Sequence, residues 1–139
     1  MAKNGPILIL EDDDDDREIY EKAVAAMGLR NAIKFFDGGD TMLAYLKETS
    51  ERPFIIIADI NVPRMNGLEL RRNIMADEHL RKKSIPFIYL TTIESKEIID
   101  EVYLLTVQGY FVKRPFFSDI ETQIREIFDY WHSCRHPNE

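Results

Sequence analysis

The chain has little of what announces most other functions. It holds one cysteine, Cys134, among 139 residues. No internal disulfide can form, which fits a reducing cytosol. No apolar run approaches the ~18 residues of a membrane span. The opening Met1-Ala2-Lys3-Asn4-Gly5-Pro6 has no apolar signal core. Base is in deficit: 18 Lys and Arg stand against 25 Asp and Glu, a formal net charge of −7. That argues against nucleic-acid and anionic-membrane partners, which need clustered cations. There is no P-loop and no G-x-G-x-x-G, so a bound nucleotide is not indicated. There is no internal repeat and no low-complexity linker. The expectation is one domain over residues 1–139, with its core from about Ile7 to Trp131.

What is present is organised around Phe54-Ile55-Ile56-Ile57-Ala58-Asp59, an unalternated apolar run that ends in a carboxylate. A run this short reads as a strand buried on both faces, the kind found inside parallel sheets. Ile7-Leu8-Ile9-Leu10 is a second such run and ends in Glu11 and the aspartates Asp12 to Asp16. Asp14, Asp15 and Asp16 read as a solvated first helical turn favoured by the macrodipole. Ile19, Tyr20, Ala23, Val24 and Met27 follow at helical spacing, with Gly28 as the stop. Ile33-Lys34-Phe35-Phe36, Pro86-Phe87-Ile88-Tyr89-Leu90 and Gly109-Tyr110-Phe111-Val112 supply three further strands. Helices are expected after Gly39, after Gly67, from a cap at Ser95 and from a cap at Ser118. Glu78 to Ser84 reads as a polar connection, and the tail from His132 to Glu139 as frayed.

Five strands alternating with five helices predict an α/β doubly wound fold of the flavodoxin-like (βα)5 type. Its five-stranded parallel sheet takes the order 2-1-3-4-5. That order sets the first and third strands side by side. Glu11 and Asp12 then meet Asp59 at the rim where such sheets bind ligands, and Thr91 and Lys113 end strands on the same rim. Clustered carboxylates repel one another unless a cation lies among them. Oxygen donors without histidine favour a hard ion, Mg²⁺ or Mn²⁺, over Zn²⁺. A carboxylate nucleophile, such an ion, a lysine and a hydroxyl together suit phosphoryl acceptance.

These residues in this order resemble the receiver domain of two-component response regulators. The match runs from about Ile7 to Trp131 and is carried by five features. They are the acidic pair Glu11-Asp12, Asp59, Val62-Pro63-Arg64-Met65-Asn66-Gly67, Leu90-Thr91-Thr92, and Phe111-Val112-Lys113 ahead of a proline. The resemblance implies Asp59 as phosphoacceptor, Asp12 as principal metal carboxylate with Glu11 acting through water, and the Asn61 backbone carbonyl as a further metal ligand. It implies Thr91 as switch hydroxyl, Lys113 as phosphate-binding lysine and Tyr110 as switch aromatic. Three departures stand out: Glu11 for the commoner aspartate, Thr92 for a small residue, and Arg114 between Lys113 and Pro115 where the family has Lys-Pro.

The resemblance further implies a cytoplasmic phosphoprotein without an output domain. It would be charged by a histidine kinase or a phosphorelay protein and signal through the helix from Ser95, the strand at Gly109 and the last helix. A downstream protein or a second copy of the chain would dock there. The match is to single-domain regulators, including phytochrome-associated ones, and implies a switch, not an enzyme beyond its own phosphorylation and dephosphorylation. Two rival readings stay open. One is an interaction module that never takes phosphate, favoured by the Arg114 insertion. The other is an Asp-nucleophile phosphatase, disfavoured by Asn61 where such enzymes place a second acid. His132, Cys134 and His136 in the tail read poorly as a metal cluster.

Overall fold

The computed structural model describes residues 2–139. Strands β1 (Ile7–Leu10), β2 (Ile33–Phe36), β3 (Ile55–Ala58), β4 (Phe87–Thr91) and β5 (Gly109–Val112) form one parallel sheet of order β2-β1-β3-β4-β5. The three inner strands are buried along their whole length, while the edge strands β2 and β5 are half-buried. This is why the inner strands carry no alternation: both faces need apolar side chains. Successive residues divide between two cores. Ile7, Ile9, Ile55 and Ile57 face α1 (Asp14–Ala26) and the C-terminal helix Phe117–Ser133. Leu8, Leu10, Ile56 and Ala58 face α2 (Gly39–Glu48), α3 (Gly67–Ala76) and the helices Glu78–Lys82 and Lys96–Leu104. In chain order these last two are α4 and α5, and the C-terminal helix is α6. Each fully buried Ile or Leu contributes about 1.5–3 kcal/mol over an exposed one.

Three local expectations are corrected. The stretch expected as a polar connection contains α4, because Asp77 caps it by accepting from the Leu80 amide and Leu80 is buried. It brings the α-helix count among the described residues to six. Ser118 does not cap α6; the cap lies two residues earlier, at Phe116, whose side chain makes no capping bond. The tail is not frayed. His136 is 1% exposed and its Nε2 lies 2.7 Å from the Phe54 carbonyl. Asn138 donates to the Lys83 carbonyl, and Lys3 Nζ donates to that of His132. Both chain ends are therefore pinned at the sheet's N-terminal edge. Ser95 does cap α5, through the Ile98 amide, and Gly28 ends α1 with φ +65°, where other L-residues are strained.

Candidate functional site

The β1-β3 pairing sets Leu10 beside Ala58, so Glu11 and Asp59 emerge together at the sheet's C-terminal rim. Asp59 is 9% exposed. Its Oδ1 accepts from the Ile60 amide at 2.7 Å and from the Thr91 hydroxyl at 2.7 Å. Its Oδ2 accepts from Lys113 Nζ at 2.9 Å. The same ammonium donates to Glu11 Oε1 at 2.9 Å and to Asp16 Oδ2 at 2.8 Å. One buried lysine thus ties three carboxylates from three loops or helices.

The loop after β3 is kept tight by glycine. A Cβ at Gly67 would collide with the Asp59 carbonyl oxygen, so only glycine lets α3 start this close. Asn66 and Glu69 close that helix with a reciprocal capping box. Arg64 braces the loop from outside by donating to Asp37 and Asp40. Tyr89 bonds the Gly67 carbonyl from the core, at 2.7 Å.

The five consecutive aspartates prove to have separate duties. Asp13 is the N-cap of α1, accepting from the amides of Asp15 and Asp16. Asp12, Asp14 and Asp15 are exposed. Asp16, read from sequence as solvated, instead reaches Lys113. Asp12, expected as the main metal carboxylate, makes no hydrogen bond among the described residues and is not in the cluster. The carboxylates that bring oxygens within 4.8 Å of one another are Glu11, Asp16 and Asp59. The signal for Asp16 was in the helical period: it lies three and four residues before Ile19 and Tyr20, on the same inward stripe.

Lys113 reaches the pocket in spite of Arg114. Its amide donates to the Thr91 carbonyl at 2.8 Å, extending the β4-β5 ladder by one residue. Gln123 of α6, buried and not singled out in the sequence, holds the turn from both sides. It donates to the Val112 carbonyl at 2.9 Å and accepts from the Arg114 amide at 3.2 Å. The extra residue is held by its amide in that clamp and turns its side chain outward: Arg114 is exposed, and no cis peptide occurs among the described residues. Tyr110, the expected switch aromatic, packs 5.7 Å from Tyr89 and donates to the Ile93 carbonyl at 2.6 Å. Asn61 is exposed, its amide 3.4 Å from Asp59 Oδ1.

The electrostatics follow from burial. Desolvation pushes the Glu11 carboxyl up to about 7, against the pull of Lys113, and the Asp59 charge adds to the rise. Burial acts to lower Lys113, but Glu11, Asp59 and the bonds to Asp16 and Glu11 outweigh it and hold the ammonium firmly charged. Burial, with the nearby charges of Asp59 and Glu94, also raises Tyr110. Three carboxylates around one ammonium leave the pocket with excess negative charge when all are ionised. Oxygen donors close together with charge to spare fit a hard divalent cation.

Comparison with known proteins agrees with this geometry. Residues 7–125 match the family model of the response regulator receiver domain. The chain is 33% identical to chemotaxis protein CheY-3 of Vibrio cholerae over 93% of its own length and 95% of that protein's. It is 30% identical to the probable methanogenesis regulatory protein FilR2 of Methanothrix harundinacea, over 90% of this chain and 82% of that one. Among solved structures, the phosphorylated cyanobacterial phytochrome response regulator RcpA superposes with a TM-score of 0.87 at 26% identity. That match covers 95% of this chain and 97% of that one. The chain belongs to the receiver domain family of two-component response regulators. Members of this family serve as signalling partners of histidine kinases or phosphotransfer proteins. No described helix is long and apolar enough to cross a membrane.

Proposed function

We propose that this chain is a phosphoacceptor switch in which Asp59 takes a phosphoryl group from the phosphohistidine of a histidine kinase or a phosphorelay protein. The observation that carries the reading is the Asp59 carboxylate, nearly buried, with one oxygen on Thr91 and the other on Lys113. An Asp59 oxygen attacks phosphorus, the N–P bond of the donor breaks, and the imidazole leaves with the bond's electron pair. Lys113 and the Thr91 hydroxyl already donate to Asp59 and then donate to the phosphoryl oxygens. Water later cleaves the acyl phosphate and returns the carboxylate, so the domain times its own signal.

Glu11, Asp16 and Asp59 are the carboxylates that would hold Mg²⁺ or Mn²⁺. Asp12 and the Asn61 carbonyl, on the loops that carry Glu11 and Asp59, would supply further oxygens. Such an ion, when bound, would neutralise charge on the transferring group. With the carboxylate repulsion relieved in this way, Lys113, which now bonds Glu11, Asp16 and Asp59, would be available to the phosphoryl oxygens.

Thr91 and Tyr110 would transmit the change. Drawing the Thr91 hydroxyl toward the new phosphoryl group disturbs its contact with the Ile93 amide, and Ile93 is the carbonyl that Tyr110 bonds. The result is a population shift of the face made by α5, β5 and α6. Tyr103, Leu104 and Tyr130 are exposed there and suit docking of a downstream protein or a second copy. The likeness to a phytochrome response regulator supports a kinase of that kind as partner in the cytoplasm. The non-phosphorylated module loses its one sequence argument, since Arg114 does not displace Lys113.

The test is intact mass after incubation with acetyl phosphate and Mg²⁺. Wild type should gain one phosphoryl group, and Asp59→Ala should gain none. No adduct on wild type, or an equal adduct on the variant, would sink the assignment. Turnover of generic phosphoesters would favour a phosphatase instead.

A further inference from the structure

A second charged site lies at the opposite edge of the sheet. A cavity of about 320 Å³ opens between α3, α4 and the residues that precede β4 and β5. That volume is at the small end of organic-ligand sites, roughly 300–1,000 Å³. Its walls include Leu46, Ile74 and Trp131, and its polar lining includes Arg71, Arg81 and Lys83. No acidic residue lines it. In a chain with more acid than base this is a segregated arrangement.

The three cations differ from those that pair with carboxylates elsewhere in the molecule. Lys34, Arg64, Arg72, Lys82 and Lys96 each pair with a carboxylate. Arg71, Arg81 and Lys83 pair with none among the described residues; they hydrogen-bond only carbonyls and one hydroxyl. Arg71, 6% exposed, donates to the Leu105 carbonyl at 3.0 Å and to the Thr106 carbonyl at 3.2 Å. Its guanidinium lies 5.1 Å from the Phe87 ring centroid. Its Nη1 makes no bond among the described residues. Arg81 uses only Nη1, on the Met75 carbonyl, and Lys83 holds the carbonyls of Leu46 and Thr49. A buried cation is expected to have an anion with it, and burial, the largest influence on Arg71, lowers its affinity for its proton with no carboxylate to oppose it.

We propose that this cavity binds a small organic anion, a carboxylate, sulfonate or phosphate carried on an apolar body. The charged group sits among Arg71, Arg81 and Lys83, and the body lies against Leu46, Ile74 and Trp131. The proposal is independent of phosphorylation at Asp59. Arg71 connects it to the rest of the molecule, since this side chain joins α3 to the turn between α5 and β5. Thr106 in that turn has φ +59°, a conformation costly for a branched residue.

Trp131 is the single tryptophan and lines the cavity, so the chain carries its own reporter. The probe is 8-anilinonaphthalene-1-sulfonate, followed by energy transfer from Trp131 in the full chain. N-phenyl-1-naphthylamine, the same ring system without the sulfonate, is the neutral comparator. The sulfonate should bind saturably and at least roughly tenfold more tightly than the comparator. Arg81→Gln combined with Lys83→Gln should weaken it by roughly tenfold or more and leave the comparator unchanged. Ser84→Asp places an acid at the exposed rim, on a backbone of φ +51° that Asp tolerates. It should weaken only the sulfonate, and it keeps the test decisive if the double variant fails to fold. Equal binding of both probes, or sulfonate binding unchanged by Ser84→Asp, would overturn the site. Displacement by inorganic phosphate at the concentration the sulfonate itself needs would overturn the requirement for an apolar body.

Discussion

The two ends of the sheet are opposites. At the C-terminal rim three carboxylates share one ammonium and acid is in excess. At the N-terminal edge Arg71, Arg81 and Lys83 have only carbonyls and a hydroxyl for partners, and base is in excess. The inner strands β1 and β3 between them are wholly apolar, so the difference is made by the residues that leave the strands and those that enter them. At the first rim polar groups bond one another across the loops. That arrangement responds when a charge is added, because each group's state depends on its neighbours' charge. At the other edge polar groups bond backbone. His136, Asn138 and Lys3 fasten both chain ends to fixed carbonyls there, an arrangement that resists change. The first end suits the switch proposed above, and the second suits a fixed base.

The sharpest way to break this comparison is Lys113→Met. It leaves three carboxylates without their shared cation in a site where the lysine is 6% exposed. Removing one partner of a buried ion pair costs about 3–5 kcal/mol. Urea unfolding at alkaline pH with a chelator should show a loss of that order, and Mg²⁺ should return much of it. If stability is unchanged without divalent ion, the carboxylates do not strain the rim. The next effect down is Gly67→Ala. Its methyl collides with backbone at Asp59, not with a side chain that can swing away. A cost of about 2–3 kcal/mol is expected, together with slower phosphorylation by acetyl phosphate, since the loop carrying Asp59 must shift.

Fold and site were legible to different depths. Unalternated runs at Ile7, Ile55 and Phe87 gave strands, order and rim, because burial on both faces leaves a plain compositional mark. The aspartate run hid its own solution. Composition makes Asp12 to Asp16 look alike, and only the inward stripe of α1 separates Asp16 from its neighbours. Gln123 was invisible as a functional residue because a polar side chain on a helix reads as solvated until the turn it clamps is seen. The tail misled for the converse reason. Short polar stretches near a terminus usually lack partners, but here Phe54 and Lys83 offer carbonyls that nothing in the sequence marks as free.

A third effect sharpens the comparison through pH. Glu11 has its folded-state value raised to about 7 from 4.5 by burial. An acid raised in this way binds more protons folded than unfolded between those two values. Stability therefore falls as pH rises through that window, is free of this penalty below it, and carries the full penalty above it. In chelator, wild type should lose on the order of 1–2 kcal/mol between about pH 5 and about pH 8 relative to Glu11→Gln, whose amide oxygen can still accept from Lys113. Comparing the two variants cancels the opposite slope from His132, which burial holds below its ordinary value and which gains stability as pH rises. An identical pH profile for both would mean that the excess charge at the rim is not carried by Glu11.

The smallest effect belongs to the holding end. His136→Ala removes one buried bond to the Phe54 carbonyl and the ring above Phe54, 6.0 Å between centroids. The freed carbonyl lies at the edge, where water can reach it once the ring is gone. The loss should be about 1–2 kcal/mol in thermal or urea unfolding. It should not change the rate of phosphorylation by acetyl phosphate, because no bond from the tail reaches the C-terminal rim among the described residues. A variant that unfolds no earlier would show the latch to be decorative. One that is phosphorylated more slowly would show that the two ends are coupled through the sheet, and the division between a switching end and a holding end would fail.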